Sequence, residues 1–569
     1  MGRDDVLVTA DSERRFVELA QLADVAAAEH EWENQIVDAV VGDDREDVDR
    51  QRLAEAFRFH ARHGEDKDRE RFGPMVTFED GATVPAPLAE AADETCSLWG
   101  AVAAHATNAR VRARLHVLLF ERRWGDVGAH ATAAVEAYLD DAPTVDPPSL
   151  RTIDALGRAH DVAVLIRRAD LVERATAALI RAAAASLDDP EPKPGVALGL
   201  IEVLVDARRS DVAVDERITR ARRRYADAWN AESTIELQRK RAPGAETRKA
   251  LDRELVELWL EEADRVDPLV ALSHREKAAK IARQRGLSDL AERAVLAMQA
   301  ADPPELARIE VEVPSSITQE QLEEYIDSMV GDTWWESVIR VLSKGPPTGH
   351  VEHNRKVAAE LAKEYPLQAL FPNRRLGGDG LPRYTPTSEE DRLDDQLTDV
   401  ETMSLQMQGQ FLGEALRRAG ARHSPSVDDV VEALREARCE GPSASAIARV
   451  VRRFDAGDYE AAAYTGLPLV ERLCRELLLS IDAPLYRVQR DRAPGTYPGL
   501  GALLPPLGER GLDESWQRYL RTFLLAPNGW NFRNEALHGF VDDVNATGAA
   551  LVLIAVLYLS SSSGLGLAT

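Results

Sequence analysis

The sequence predicts an all-α protein, an N-terminal α-solenoid-like helical array followed by a C-terminal helical bundle. Two observations carry that expectation. From the N-terminus to about residue 300, apolar residues recur at i, i+3, i+4 and i+7 with many alanines among them, as in 111–119, 175–187 and 251–263. From Glu401 to the end the same periodicity returns. At 569 residues, with about 150 residues to a domain, the chain is expected to hold three or four packed units.

Breakers divide the first region into helical pairs. They stand at Ala142-Pro143, Asp146-Pro147-Pro148, 189–194 and 301–304. The stretch 274–298, with Lys277, Ala278, Ile281 and Ala282, then Gly286 and a second helix from Ser288, reads as one helix-turn-helix unit of an array. Next comes 309–313, whose alternation predicts a short strand closed by Pro314. Thr318 with Gln321 predicts a capping box for the helix through Tyr325 and Ile326.

A boundary is expected near Gly345-Pro346-Pro347. The Gly/Pro-rich segment 371–387 and the acidic run 388–399 together predict an exposed connector. The expected division is therefore 1–302 for the array, 303–400 for a helical and connector region, and 401–569 for the bundle. Within the bundle, 467–481 places Val470, Leu473, Cys474, Leu477, Leu478 and Ile481 on one apolar stripe, and Trp516, Tyr519, Leu520, Phe523 and Leu524 form another. These aromatics are expected in the core, not on a base-stacking surface. The apolar run 548–559 predicts a buried last helix in preference to a membrane anchor.

Charge narrows the function. Seventy basic residues against 97 acidic ones give a formal net of −27, which disfavours a general nucleic-acid coat or a surface that clings to anionic lipid. Nine lysines against 61 arginines, with abundant Asp and Ala, is a salt-adapted composition. Residues 459–569 hold nine Arg, no Lys and 11 acidic residues, net −2, so the acid excess lies upstream. Cys96, Cys439 and Cys474 are too dispersed for a disulfide framework or a metal knuckle. With no apolar leader after Met1, a cytoplasmic protein without membrane attachment is expected.

The most informative stretch is Asn531-Phe532-Arg533-Asn534-Glu535-Ala536-Leu537-His538-Gly539, at the start of an expected helix after Pro527-Asn528-Gly529. Asn534 and His538, four residues apart, fall on one helix face, and Arg533 can fold towards the same place. A guanidinium matches phosphate oxygens bidentately, and a helix N-terminus favours anions. The His538 imidazole suits general acid or base work on a ribose 2′-hydroxyl or a leaving 5′-oxygen, while Asn534 can orient the imidazole or donate to a phosphate oxygen.

RNxxxHG in this stretch resembles the signature of an uncharacterised domain family similar to the HEPN superfamily (higher eukaryotes and prokaryotes nucleotide-binding). Relatives similarly show a segment like Pro366-Leu367-Gln368-Ala369-Leu370-Phe371-Pro372 and a pair like Gly457-Asp458-Tyr459 followed by Pro468, Glu471 and Arg475. The resemblance covers about residues 364–560. It implies a HEPN-like helical bundle and metal-independent endoribonuclease chemistry without a cofactor, cleaving RNA to a 2′,3′-cyclic phosphate with Arg533, Asn534 and His538 as catalytic residues. A homodimer in which two such helices face each other is implied as well. The array would then hold a further, unknown protein partner, in a layout that suits a stress or defence effector. Many HEPN-like domains are inactive scaffolds, so a non-catalytic interaction protein is the second expectation.

Supporting positions remain open to two readings. Glu471 either bridges to Arg533 or His538 or simply pairs locally with Arg475. Gly539 completes the motif. Arg487, Arg490 and Arg492 cluster in a loop ending at Pro494-Gly495 and either contact an RNA backbone or are solvated. Other signals are rejected. Gly377-Gly378-Asp379-Gly380 lacks the Lys-Ser/Thr of a phosphate loop, and the pairs His60/His63 and His350/His353 lack third and fourth metal ligands. No metal site, serine-hydrolase elbow or redox motif is expected.

Overall fold

Apolar stripes and caps coincide along most of the chain, and the protein is all-α. A computed structural model describes residues 10–43, 45–61, 72–78, 82–206, 212–300, 318–365, 374–377, 379–489 and 494–562. The chain divides into two compact units, Met1–Leu296 and Ala297–Thr569.

The first unit opens with α1 (Ala10–Glu29), α2 (Glu33–Val41) and α3 (Val48–Glu55). Two hairpins follow, β1 (Phe59–Ala61) with β2 (Phe72–Pro74) and β3 (Val76–Thr77) with β4 (Thr83–Val84), both antiparallel. Then come α4 (Asp93–His105), α5 (Ala109–Arg122), α6 (Val127–Asp141), α7 (Leu150–Leu165), α8 (Ala169–Asp188) and α9 (Pro194–Asp206). The stack continues with α10 (Val212–Arg224), α11 (Ala228–Arg241), α12 (Ala245–Ala263), α13 (Pro268–Gln284) and α14 (Ser288–Gln299). Local chemistry starts these helices: Asn108 caps α5, Asp126 caps α6 and Asp227 caps α11, each accepting a backbone N–H at 2.9–3.1 Å. Gly286, at φ +70°, makes the turn between α13 and α14 at the expected place.

From α5 to α13 each helix packs chiefly on its neighbours in sequence. Three apolar clusters succeed one another along the unit, around Trp99 and Leu115, around Leu179 and Ile201, and around Trp259 and Ala278. Nearest-neighbour stacking of this kind needs no contact across long stretches of chain.

The second unit begins with α15 (Gln319–Asp327), α16 (Trp334–Ser343) and α17 (Val351–Glu364). A hairpin of β5 (Arg375–Leu376) and β6 (Pro382–Tyr384) leads to α18 (Glu389–His423). Then follow α19 (Val427–Glu436), α20 (Gly441–Asp455), α21 (Tyr459–Ser480), α22 (Leu500–Glu509), α23 (Glu514–Leu524), α24 (Phe532–Leu537) and α25 (Ala546–Ser562). The Thr318–Gln321 capping box forms with both of its hydrogen bonds, at 3.0 and 3.2 Å.

One continuous core fills this unit, with α25 at its centre against α18, α20 and α21. Residues 549–557 of α25 are all buried, because a helix apolar on every side has to be enclosed. Gly466 lets it approach α21: a Cβ there would come within 2.5 Å of a Val552 methyl. Among the described residues no helix is long and apolar enough to cross a membrane.

The acidic run 388–399 is helix, not connector, and α18 runs through the expected division at residue 400. Ser388 and Asp391 form a capping box, and Glu389, Glu390 and Asp391 fill the first turn, where the helix dipole favours negative charge. Donors from Thr387 and Ser388 hold the Asp391 carboxyl down at about 2. Further along, Asp395 and Glu401 are buried and met by Arg375 and Arg518. The inner acids of the run, Asp394, Asp395 and Asp399, thus pair with Arg518, Arg521 and Arg375, while Glu389 and Glu390 stay exposed.

Helix α21 also starts earlier than the expected 467, at Tyr459, with Asp458 as its cap and Pro468 inside it. The expected strand 309–313 and the Pro366–Pro372 segment lie outside the described residues.

Candidate functional site

The turn before α24 is fixed from several directions. Trp530 donates its backbone N–H to the Thr522 carbonyl at 3.0 Å, closing the chain back on α23. Buried Asn528 donates to Asp395 at 3.2 Å, tying the turn to α18. Asn531 then takes a left-handed conformation, φ +50°, which an Asn tolerates better than most residues. Phe532 anchors the helix by stacking on Phe523, ring centroids 5.2 Å apart, and the Tyr464 hydroxyl donates to the Ala536 carbonyl at 3.2 Å.

The helix is only six residues long. Its N-terminus is too short to serve as the anion site expected from the motif, which leaves the Arg533 side chain as the group there suited to an anion. Its end is a Schellman stop, in which Phe540 donates to the Glu535 carbonyl at 2.8 Å and Gly539 to that of Ala536 at 3.1 Å. Gly539, at φ +79°, is the residue that stop requires. The final His-Gly of the motif is therefore the helix terminus, with His538 as its last half-turn.

Glu471 joins the pieces. Its Oε2 accepts from Arg533 at 3.2 Å and its Oε1 from Arg475 at 3.0 Å, so both readings of this residue are realised together. Arg533 also donates to the Asn534 amide oxygen at 3.1 Å. The Asn534 amide in turn donates to Asn531 at 2.7 Å, and Asn531 to Glu535 at 3.1 Å. Arg383 closes the line, donating to Glu535 at 3.3 Å and to Asp379 at 3.0 Å. The guanidiniums of Arg533 and Arg475 are about one-quarter exposed. Arg475 Nε is buried without a hydrogen-bond partner.

His538 stands apart from this network. It is exposed, one turn beyond Asn534 with its backbone N–H on the Asn534 carbonyl at 3.0 Å, and its ring lies 6.5 Å from that of Phe540. The structure thus brings Arg533, Asn534, Glu471 and Arg475 together and leaves His538 open to solvent at the edge. Arg487 is exposed and pairs its backbone with Thr496 across an antiparallel bridge. Arg490 and Arg492 lie outside the described residues.

Arg383, Asp379, Asn531, Glu535 and Tyr464 were not singled out from sequence. The i, i+4 spacing of Asn531 and Glu535 could have flagged that pair. Nothing local points to Arg383, 152 residues from its partner Glu535. Trp516, Tyr519, Leu520, Phe523 and Leu524 are buried as expected.

Burial pushes all three thiols up, Cys96 and Cys439 to about 11 and Cys474 to about 12, so none is a thiolate at neutral pH. His60, His350 and His353 are exposed, and His63 lies outside the described residues. Among the described residues no group of three or more His, Cys, Asp or Glu side chains is arranged to hold a metal ion. In comparisons with known proteins, no family model and no curated protein matches the chain.

Proposed function

We propose that the second unit is a metal-independent endoribonuclease of the HEPN-like type, with the first unit as its sensor or partner-binding module. The observation that carries the reading is the clamp at Glu471, which holds Arg533 and Arg475 together, with His538 exposed one turn beyond Asn534. Two guanidiniums, each about one-quarter exposed and fixed by one carboxylate, form a preorganised seat for a phosphodiester. The ribose 2′-hydroxyl gives its proton to His538 as its oxygen bonds phosphorus. The bond from phosphorus to the 5′-oxygen breaks, the leaving oxygen takes up a proton, and a 2′,3′-cyclic phosphate and a 5′-hydroxyl remain. Arg533 and Arg475 balance the charge that grows on the phosphate oxygens, and Asn534 holds Arg533 in place. A second copy of the chain would supply a second His538 as the acid.

The test is incubation of wild-type and His538→Ala protein with labelled total RNA at high KCl with EDTA. Wild type is expected to yield cyclic-phosphate ends, and His538→Ala to cleave about 10²- to 10⁴-fold more slowly. Equal cleavage by both would overturn the assignment.

A specific observation favours a second reading, the interaction protein without turnover. The first unit contains a cavity of about 1680 Å³, lined by Trp32, Arg110, Arg114, Tyr138 and Arg158 among others. If neither protein cleaves RNA, this cavity becomes the working site of the molecule.

A further inference from the structure

Three aromatic rings beside the candidate site are left open to solvent, Tyr486 at 57%, Tyr497 at 44% and Phe540 at 45%. They contrast with the aromatic stripe of α23, which the core encloses. Tyr497 lies 5.3 Å from the Arg475 guanidinium and 5.5 Å from the Tyr486 ring. Phe540 lies 5.0 Å from the Arg383 guanidinium. An unbroken line of contacts links the two ends: Tyr497 to Arg475, Glu471, Arg533, Asn534, Asn531, Glu535, Arg383 and Phe540. A flat ring backed by a guanidinium thus stands at each end of the polar line.

The charge on that line says what holds a ligand there. Arg383, Arg475 and Arg533 are matched by Asp379, Glu471 and Glu535. A site so nearly neutral gains little from counterion release, and salt weakens that gain further. Affinity then has to come from contacts that salt does not screen, and stacking on exposed rings is such a contact. In a duplex the base faces are already stacked on one another, so only an unpaired strand offers them to rings. A self-interface would call for one continuous apolar patch, whereas these rings are separated by charged groups.

We propose that Tyr497 and Phe540 are base-stacking platforms on either side of Arg533, so that the ligand of this site is unpaired, single-stranded RNA. This rests on the RNA-cleaving reading above and adds to it two binding residues. Tyr486 supports Tyr497 from its edge. The strand lies along the polar line with a base on each ring and a phosphodiester between them on Arg533.

The experiment measures binding by fluorescence anisotropy, using full-length protein carrying His538→Ala so that turnover does not interfere. The probes are a labelled oligouridylate of about twelve nucleotides, an abasic ribose-phosphate chain of the same length, and a fully paired RNA hairpin. Tyr497→Ala and Phe540→Ala are each expected to weaken oligouridylate binding by about 5- to 100-fold while leaving the salt dependence unchanged. Tyr497→Phe, which keeps the ring, should bind as the parent does. The abasic chain and the hairpin should both bind far more weakly than the oligouridylate.

Unchanged affinity of both alanine variants, or equal binding of the abasic chain, would overturn the stacking assignment. Cleavage by wild type together with that result would leave the ribonuclease reading standing, so the two failures are distinguishable. A shift in oligomeric state of the alanine variants by light scattering would make the rings a contact between copies and overturn the proposal. Failure of the parent to bind any single strand would overturn both.

Discussion

The two units solve the same packing problem in different ways. In the first, the cross-links from α6 to α14 reach only about one helical pair along the chain: Arg253 meets Asp289 and Arg293 meets Glu257, each 36 residues away, and Arg285 meets Glu236 at 49, while at its start Arg110 of α5 meets Glu33 across 77. In the second, Arg518 meets Glu401 across 117 residues, Arg521 meets Asp394 across 127 and Arg383 meets Glu535 across 152. The first has three successive apolar clusters and the second one core. A stack can lose one interface and keep the others, whereas a closed bundle shares every interface with its centre. Arg383 and Glu535, brought together across 152 residues, show such a bundle assembling the candidate site from distant segments.

The largest break in that comparison comes at Glu401, fully buried and held by Arg518 and Thr522. Glu401→Ala leaves the Arg518 charge without its buried partner and should cost about 3–5 kcal/mol. In hydrogen exchange of the full chain, protection should fall together across α18, α21, α23 and α25. Loss confined to α18 would show that the second unit is not cooperative.

Next in size is Gly466→Ala, which pushes α21 and α25 apart and should cost about 1–3 kcal/mol by thermal melting. A cost near zero would mean that Val552 moves aside freely.

The pH dependence adds a contrast between one partly buried group in each unit, His116 and Asp455, whose shifts act on stability with opposite sign. In the first unit His116, with its ring nitrogen 3.0 Å from that of His130, is pushed by burial from 6.5 to about 4. The folded state there binds fewer protons, so stability present above pH 6.5 is lost as pH falls towards 4. In the second unit burial raises Asp455 from 3.8 to about 6. The folded state there binds more protons, so stability present below pH 3.8 is lost as pH rises through 6.

With both groups partly screened by solvent, each effect is about 1 kcal/mol. His116→Gln should relieve the acid loss, and Asp455→Asn should stabilise at neutral pH and not in acid. Thermal melts of the two variants across this window check both signs. The smallest effect is expected from Glu257→Ala, which removes an exposed ion pair of the stack and should cost about 0–1 kcal/mol, with altered protection limited to α12 and α14.

What the sequence made legible is local. Thr318 and Gln321 announce a helix start because the hydrogen bonds of a capping box span three residues, and both form. The run 548–559 announces a buried helix because no face of it is polar. The acidic run 388–399 was misread for the same reason that caps are readable: charge pattern alone does not tell a solvated loop from a helix whose acids meet arginines elsewhere. Asp394 and Asp395 find Arg518, Arg521 and Arg375 only once the bundle has formed.

The site divides along the same line. Sequence by itself determined the all-α class, most helix positions, the enclosed final helix and the contact of Arg533 with Asn534, since these depend on neighbours within a turn or two. Tertiary structure alone decided that Glu471 reaches across 62 residues to clamp Arg533 beside Arg475, and that Arg383 returns to the site from a hairpin. It alone left Tyr497 and Phe540 exposed while enclosing Tyr519 and Phe523. The physical reason is range: a helix is specified by periodicity over a few residues, but which side chains meet is fixed by how helices pack, and that information is spread over the whole chain.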